Sequence, residues 1–194
     1  MVGENMERQA AGYKIEAYAL KDKDYEAHLE GTYTSPYDAW STKYHCPIQI
    51  KGKKTSNLDK TRIELGSVYR LPKEEDFLLT LFPYKKTKDG TLVYEKREYL
   101  IDKDLWNAGI PDGLLQAVSH ERVFGGISND RKDDAIWKER RKAIKKEVKD
   151  MNGLFTPLFK RDHRNQKRVQ VNIAVSNLDD LSKGITITKL NCLL

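Results

Sequence analysis

Cysteine and histidine are scarce in this chain: two of the former, Cys46 and Cys192, and four of the latter among 194 residues. Two distant thiols supply neither a disulfide framework nor a zinc site. His28, His45, His120 and His163 have no metal-ligand spacing with one another or with cysteine. Cys46 beside His45 is not a thiol-enzyme pair, because neighbours on a strand face opposite ways; a buried structural thiol is expected. Long apolar runs are also missing. No segment approaches the ~20 apolar residues that cross a bilayer, and the opening MVGENMERQ has no apolar stretch like that of a secretory leader. Gly125-Gly126 stands alone, without a Walker-type loop or a dinucleotide fingerprint. These absences exclude disulfide-stapled, zinc-finger, membrane-spanning and nucleotide-motor classes. They predict a reducing, intracellular (cytoplasmic) setting.

Charge, by contrast, is abundant. Lys plus Arg number 35 against 29 for Asp plus Glu, giving +6 and an isoelectric point near 9.1. An excess of that sign suits a polyanionic partner. The length fits one domain, 1–194, able to bury a sizeable core.

The most informative stretch is Pro36-Tyr37-Asp38-Ala39-Trp40 followed by Cys46-Pro47-Ile48-Gln49-Ile50-Lys51. Alternation along a strand sends Gln49 and Lys51 to one side and Ile48 and Ile50 into a core. A turn at about 41–45 would then bring Asp38 to Gln49 and Lys51. An acid, a neutral oxygen ligand and an ammonium at one spot can hold a divalent metal, a water and a phosphate.

This segment resembles the core of the PD-(D/E)xK nuclease superfamily, which includes most type II restriction endonucleases. Tyr37-Asp38 stands for the first half-motif and Gln49-Ile50-Lys51 for the second. Tyr37 replaces the motif's proline, with Pro36 one residue earlier, and Gln49 replaces the acid, a known variant. Surrounding elements follow the family's core order over about residues 8–83. Ala10, Tyr13, Ala17 and Leu20 predict a helix from Arg8 to Lys21, carrying Glu16 where the family's first core helix often has an acid. Ser56-x-x-Asp59 reads as a capping box opening a helix through Arg70, with Leu58, Leu65 and Tyr69 along one side. Phe77 to Phe82 is a nearly continuous apolar run, as in a strand buried on both faces.

The resemblance implies an α/β fold with a restriction-endonuclease-like mixed central sheet flanked by helices, plus a C-terminal β unit. It implies hydrolysis of duplex DNA with Mg²⁺, or with Mn²⁺ as substitute. Asp38, Gln49 and the Ile50 carbonyl would be metal ligands, Lys51 would orient or help deprotonate the water, and Glu16 would be an outer-sphere acid. A site-specific restriction enzyme acting as a homodimer is the first reading. A repair or Holliday-junction-type nuclease on the same fold, and an inactive DNA-binding module, are the alternatives.

Roughly 84–194 is left for recognition and dimerisation. Lys88-Asp89-Gly90-Thr91 is a hairpin signal. Two strands are expected around it and beyond it, at 92–94 and 98–101, then a helical turn at 104–106. The stretch from Gly109 to Asp130 reads mostly as loop, with 114–118 helical. Trp137, Ile144, Val148 and Met151 predict a helix over Asp134–Asp150, whose Lys138, Arg141, Lys142, Lys145 and Lys149 form either a solvated face or a phosphate-contacting one. The nine residues Lys160 to Arg168 hold five cations and one acid and lead into a strand at 169–173. Arg161, Arg164, Gln166, Lys167, Arg168 and Gln170 suit base and phosphate contact, or else an exposed polar loop. Lys53 and Lys54, continuing the QxK strand, are assigned to DNA with them. A strand at 184–188 is expected to pair with 169–175.

Overall fold

The computed structural model describes residues 2–27, 37–72, 74–128, 131–161 and 167–194. The first helix, α1 (Val2–Ala19), buries the i, i+4, i+8 row Ala11, Ile15 and Ala19. The expected apolar row is not the buried one, since Tyr13 is 73% exposed and Ala10 and Ala17 face solvent. Two alanines flanking Ile15 let the helix come close to the sheet: a Cβ added at Gly52 would lie 2.8 Å from Ile15 Cδ1.

Next come β1 (Tyr25–Ala27), β2 (Ala39–Ser41) and β3 (Cys46–Lys54), an antiparallel meander. After β4 (Arg62–Ser67), β5 (Phe77–Lys86) lies parallel to β3. The helix expected from Ser56 to Arg70 is absent; β4 and a 3-10 turn at Val68–Arg70 make the crossover instead. Leu58 and Leu65 are helically spaced, but Ile63 and Leu65 also alternate with exposed Arg62 and Glu64. The period-two pattern wins because both apolar residues find a core. Asp59 ion-pairs with Arg97 rather than capping a helix.

The hairpin turn over Thr87–Gly90 leads into β6 (Thr91–Ile101), one strand where two were expected. Asp102 caps α2 (Lys103–Ala108), accepting from Asp104 N–H at 2.8 Å and Leu105 N–H at 3.0 Å. Two short helices follow, α3 (Leu114–Ala117) and the unexpected α4 (His120–Phe124), capped by Ser119. Helix α5 (Asp134–Asp150) buries Trp137, Ile144 and Val148 as its spacing predicts. β7 (Phe155–Arg161), β8 (Lys167–Ala174) and β9 (Ser182–Leu193) complete the chain.

The result is an α/β fold with a mixed six-stranded sheet, ordered β1-β2-β3-β5-β6-β9, and a three-stranded sheet, β4-β8-β7. The 184–188 strand therefore does not pair with 169–175. β9 lies antiparallel on β6, and both flanks of β8 are taken by β4 and β7. Alternation sets which face of a strand is buried but is silent about its partner.

Two cores pack the large sheet. On one face α1 covers Ile48, Ile50, Leu78 and Phe82. On the other, the small sheet and helices α2 to α5 enclose a larger apolar cluster. Edge-on aromatics run through it, with Phe77 5.0 Å from Trp106 and Trp106 4.8 Å from Phe155, between ring centroids. The α1 face also buries a polar group: Tyr25 Oη donates to Glu98 at 2.7 Å and lies 3.0 Å from Thr80 Oγ1. Lys96 bridges Glu98 (3.3 Å) and Asp22 (2.9 Å). The sequence marks this network only faintly, by Lys96 and Glu98 alternating within the charged run Glu95-Lys96-Arg97-Glu98 of β6.

Candidate active site

The four-residue turn Thr42–His45, with His45 left-handed at φ 51°, folds β2 back on β3 as expected. Ala39 stands opposite Ile48, so Asp38 arrives beside Gln49 at the end of β2, while β3 runs on past β2 along β5. Backbone contacts fix it there. Asp38 N–H donates to Ile48 O at 2.7 Å, and Ile50 N–H donates to Asp38 Oδ2 at 2.6 Å. That second bond is charge-assisted and holds one carboxylate oxygen against the strand edge. Lys51 Nζ lies 3.9 Å from the same oxygen, and both side chains are 27% exposed. A residue's N–H and C=O leave a strand on the same edge, so the Ile50 carbonyl also lies on the edge facing Asp38.

Gln49 is 2% exposed and reaches the second sheet, its Nε2 donating to Leu65 O at 3.4 Å. Leu65 is the extra residue where the β4–β8 register shifts between Glu64 and Gly66, and the following Gly66 has φ 100°. The bulge turns this carbonyl towards β3. It also gives position 49 a local reason to be an amide: a carboxylate there would set lone pairs against a carbonyl, whereas an amide offers an N–H.

Glu16 comes in from α1. Partial burial raises its pKa, the nearby Asp38 carboxylate raises it further, and the Lys51 ammonium offsets part of this. Asp38 and Lys51 thus lie together with Glu16 near them, while Gln49 stands beside Asp38 in strand register and sends its side chain to Leu65. Two neighbouring carboxylates with an amide and a carbonyl oxygen make a hard, oxygen-only donor set that fits Mg²⁺. Among the described residues there is no cluster of three or more His, Cys, Asp or Glu, so a cation here would rest on Asp38 and neutral oxygens, with Glu16 adding charge. Cys46 is buried in the α1 core with its thiol pushed up to about 11, chiefly by desolvation, the state of an inert packing residue.

The residues assigned to DNA contact are more scattered. Lys53 is half-buried and Lys54 exposed at the tip of β3. Arg161 is only 7% exposed, bonded to Asp134 at 2.6 Å and lying over the Trp137 ring. Lys167 donates to the Ile127 carbonyl. Arg168 is exposed, Gln170 is half-buried on β8, and Arg164 and Gln166, with His28, Pro36 and His163, lie outside the described residues. Among the described part of this segment, Arg161 and Lys167 are tied inward and Arg168 is presented to solvent.

No protein-family model matches the chain, and neither a curated protein nor a solved structure is significantly similar to it. Among the described residues no helix is long and apolar enough to cross a membrane.

Proposed function

We propose that the protein is a Mg²⁺-dependent endonuclease that hydrolyses phosphodiester bonds in duplex DNA, with the site-specific, homodimeric restriction type as the first form. The observation that carries this reading is the clamp of Asp38 on the β3 edge by Ile50 N–H, with Lys51 at 3.9 Å and Glu16 close by. The antiparallel meander followed by a parallel fourth strand agrees with the core order of the PD-(D/E)xK superfamily, although β4 stands where a helix was expected.

Asp38, through its second carboxylate oxygen, the Gln49 amide oxygen and the Ile50 carbonyl would hold the cation, and Glu16 would act through water. Bound Mg²⁺ polarises the phosphate and acidifies a water. Lys51 orients the attacking water and offsets negative charge as it grows on the phosphate oxygens. The Ile50 N–H fixes the Asp38 carboxylate before substrate arrives, so little reorganisation is left for the reaction itself. Gln49 favours one second reading, an inactive DNA-binding module, because its amide engages Leu65 and adds no negative charge.

Incubation with plasmid or phage DNA in Mg²⁺ tests the proposal. Discrete fragments support the restriction form, and cutting confined to branched DNA supports a junction nuclease on the same fold. Binding without cutting in Mg²⁺ or Mn²⁺ sinks the enzymatic reading. Asp38→Ala and Lys51→Ala should each lower cleavage on the order of 10²–10³-fold. The circular-dichroism melt of Lys51→Ala should be unchanged, and that of Asp38→Ala, which leaves Ile50 N–H without its acceptor, lowered but still cooperative. A Lys51→Ala protein that cuts at the wild-type rate removes Lys51 from the site.

A further inference from the structure

Helix α5 carries a row of cations that its own acids leave unneutralised. At 3.6 residues per turn, Lys138, Arg141, Lys142, Lys145 and Lys149 fall within an arc of roughly 100°. All five are exposed, and among the described residues none has an ion-pair or hydrogen-bond partner. Of the helix acids, Asp134 is bound by Arg161 and Glu147 by Arg122, while Glu139 and Asp150 lie around the flank. Some surface lysines elsewhere are paired, as Lys160 is with Glu64, Lys183 with Asp76 and Asp102, and Lys189 with Glu95, but no other helix lines up five unpaired cations among the described residues.

The row is also internally unfavourable. Lys138 and Lys142, Arg141 and Lys145, and Lys145 and Lys149 are like charges at i,i+4. The Lys145 ammonium is pushed below its ordinary pKa, first by partial burial and then by Arg141. Such repulsion is relieved by an anion that runs along the helix. From Lys138 to Lys149 the rise is about 16 Å, the axial length of about five successive nucleotides of one duplex strand.

We propose that the outer stripe of α5 is a phosphate-tracking surface that holds the backbone of a nucleic-acid duplex. A nucleic acid is favoured over an anionic membrane because Trp137, Ile144 and Val148 are enclosed in the core, and the helix's exposed apolar residue, Ile136, lies about 170° round the helix from the middle of the stripe, so cations and apolar surface cannot face one bilayer together. The inference takes the identity of the polyanion from the nuclease reading, but its readout is binding, not cleavage.

The test is fluorescence anisotropy of a 5′-labelled duplex of about 30 base pairs, titrated without Mg²⁺ at several salt concentrations. Lys138→Gln/Lys142→Gln/Lys145→Gln should reduce the slope of log K against log salt by up to about three units, near one for each phosphate no longer neutralised. The control Lys60→Gln/Lys86→Gln/Lys103→Gln removes the same net charge from exposed sites off the helix and should leave most of that slope. Relief of repulsion keeps the melting temperature of the stripe variant at or above wild type, so a fold defect is recognised independently. Equal slopes for the two triple variants overturn the proposal, as does binding to phosphatidylserine vesicles without binding to DNA. A reduced slope for the α5 variant in a protein that cuts no DNA retains this surface and rejects the nuclease reading alone.

Discussion

The two faces of the six-stranded sheet are packed by different means. One meets a deep apolar cluster built around Phe77, Trp106 and Phe155; the other meets a single helix over a smaller core. That smaller core contains a buried Glu98, Tyr25, Thr80 and Lys96 network, and the candidate site lies at its margin. Apolar burial is non-directional and tolerant, whereas a buried polar network stabilises only when every partner is in place. The aromatic face is the expected source of stability, and the α1 face fixes the positions of groups near the site.

Substitutions can break this contrast. The largest expected effect is Trp106→Ala, which opens a void between Phe77 and Phe155 and should cost about 3–5 kcal/mol in urea unfolding. Trp106→Phe should cost far less than this, because Trp106 Nε1 has no hydrogen-bond partner among the described residues. A loss as large for Phe as for Ala would mean that the indole N–H matters after all.

Gln49→Glu sharpens the contrast at the site. The acid of the commoner motif should here be destabilising by roughly 1–3 kcal/mol, because it removes the donor to Leu65 O at a buried position. Added Mg²⁺ should recover part of the loss by binding only the folded state. Melting in EDTA and in Mg²⁺ tests both halves; a variant as stable as wild type in EDTA refutes the local reason given for glutamine.

Within the α1 core, Tyr25→Phe removes the hydroxyl shared by Glu98 and Thr80 and should cost about 1–2 kcal/mol. Its phenol is held protonated, with pKa raised chiefly by burial, so this loss should not vary between pH 6 and pH 9. A clear pH dependence over that window would contradict the buried arrangement.

The smallest effect is expected at Glu16. Its folded pKa is raised above the unfolded value, so the folded state binds the proton more tightly. Stability from this group is therefore present in acid and falls as pH rises through the unfolded pKa and the raised folded one. Glu16→Gln should melt slightly higher than wild type at pH 7 and the same at pH 4. A lower melting temperature at pH 7 would show that Glu16 makes a net favourable contact in the absence of metal.

Local pattern made β5 and α5 readable, because Phe77 to Phe82 is continuous and Trp137, Ile144 and Val148 keep one helical row. The approach of Asp38 to Lys51 was readable for the same reason: one turn folds β2 onto β3 and brings the acid to that strand. Elsewhere the sequence admitted two answers. Alanine is neutral enough that α1 had two candidate faces, and only contact with Gly52 and β3 selects Ala11, Ile15 and Ala19. At β4 the Leu58 and Leu65 spacing suits a helix, yet Ile63 and Leu65 also satisfy a strand, and pairing with β8 decides between them. The link from Gln49 to Leu65 depends on a bulge, which leaves no mark in the sequence beyond a glycine. β9 paired with β6 for a reason that lies in the whole sheet rather than in its own residues.

β9 also governs how the protein should behave when concentrated. It is a twelve-residue edge strand, with Ile185, Ile187 and Leu193 exposed. Its only charges, Lys183 and Lys189, are drawn back onto Asp76, Asp102 and Glu95 instead of standing guard beyond the edge. The shared net charge of +6 opposes pairing through this edge, and dissolved salt screens that repulsion. Rising ionic strength should thus act in opposite directions on two properties of one molecule, loosening its hold on a polyanion while encouraging strand-to-strand self-association. Light scattering of a concentrated stock should increase over the same salt range in which DNA lets go.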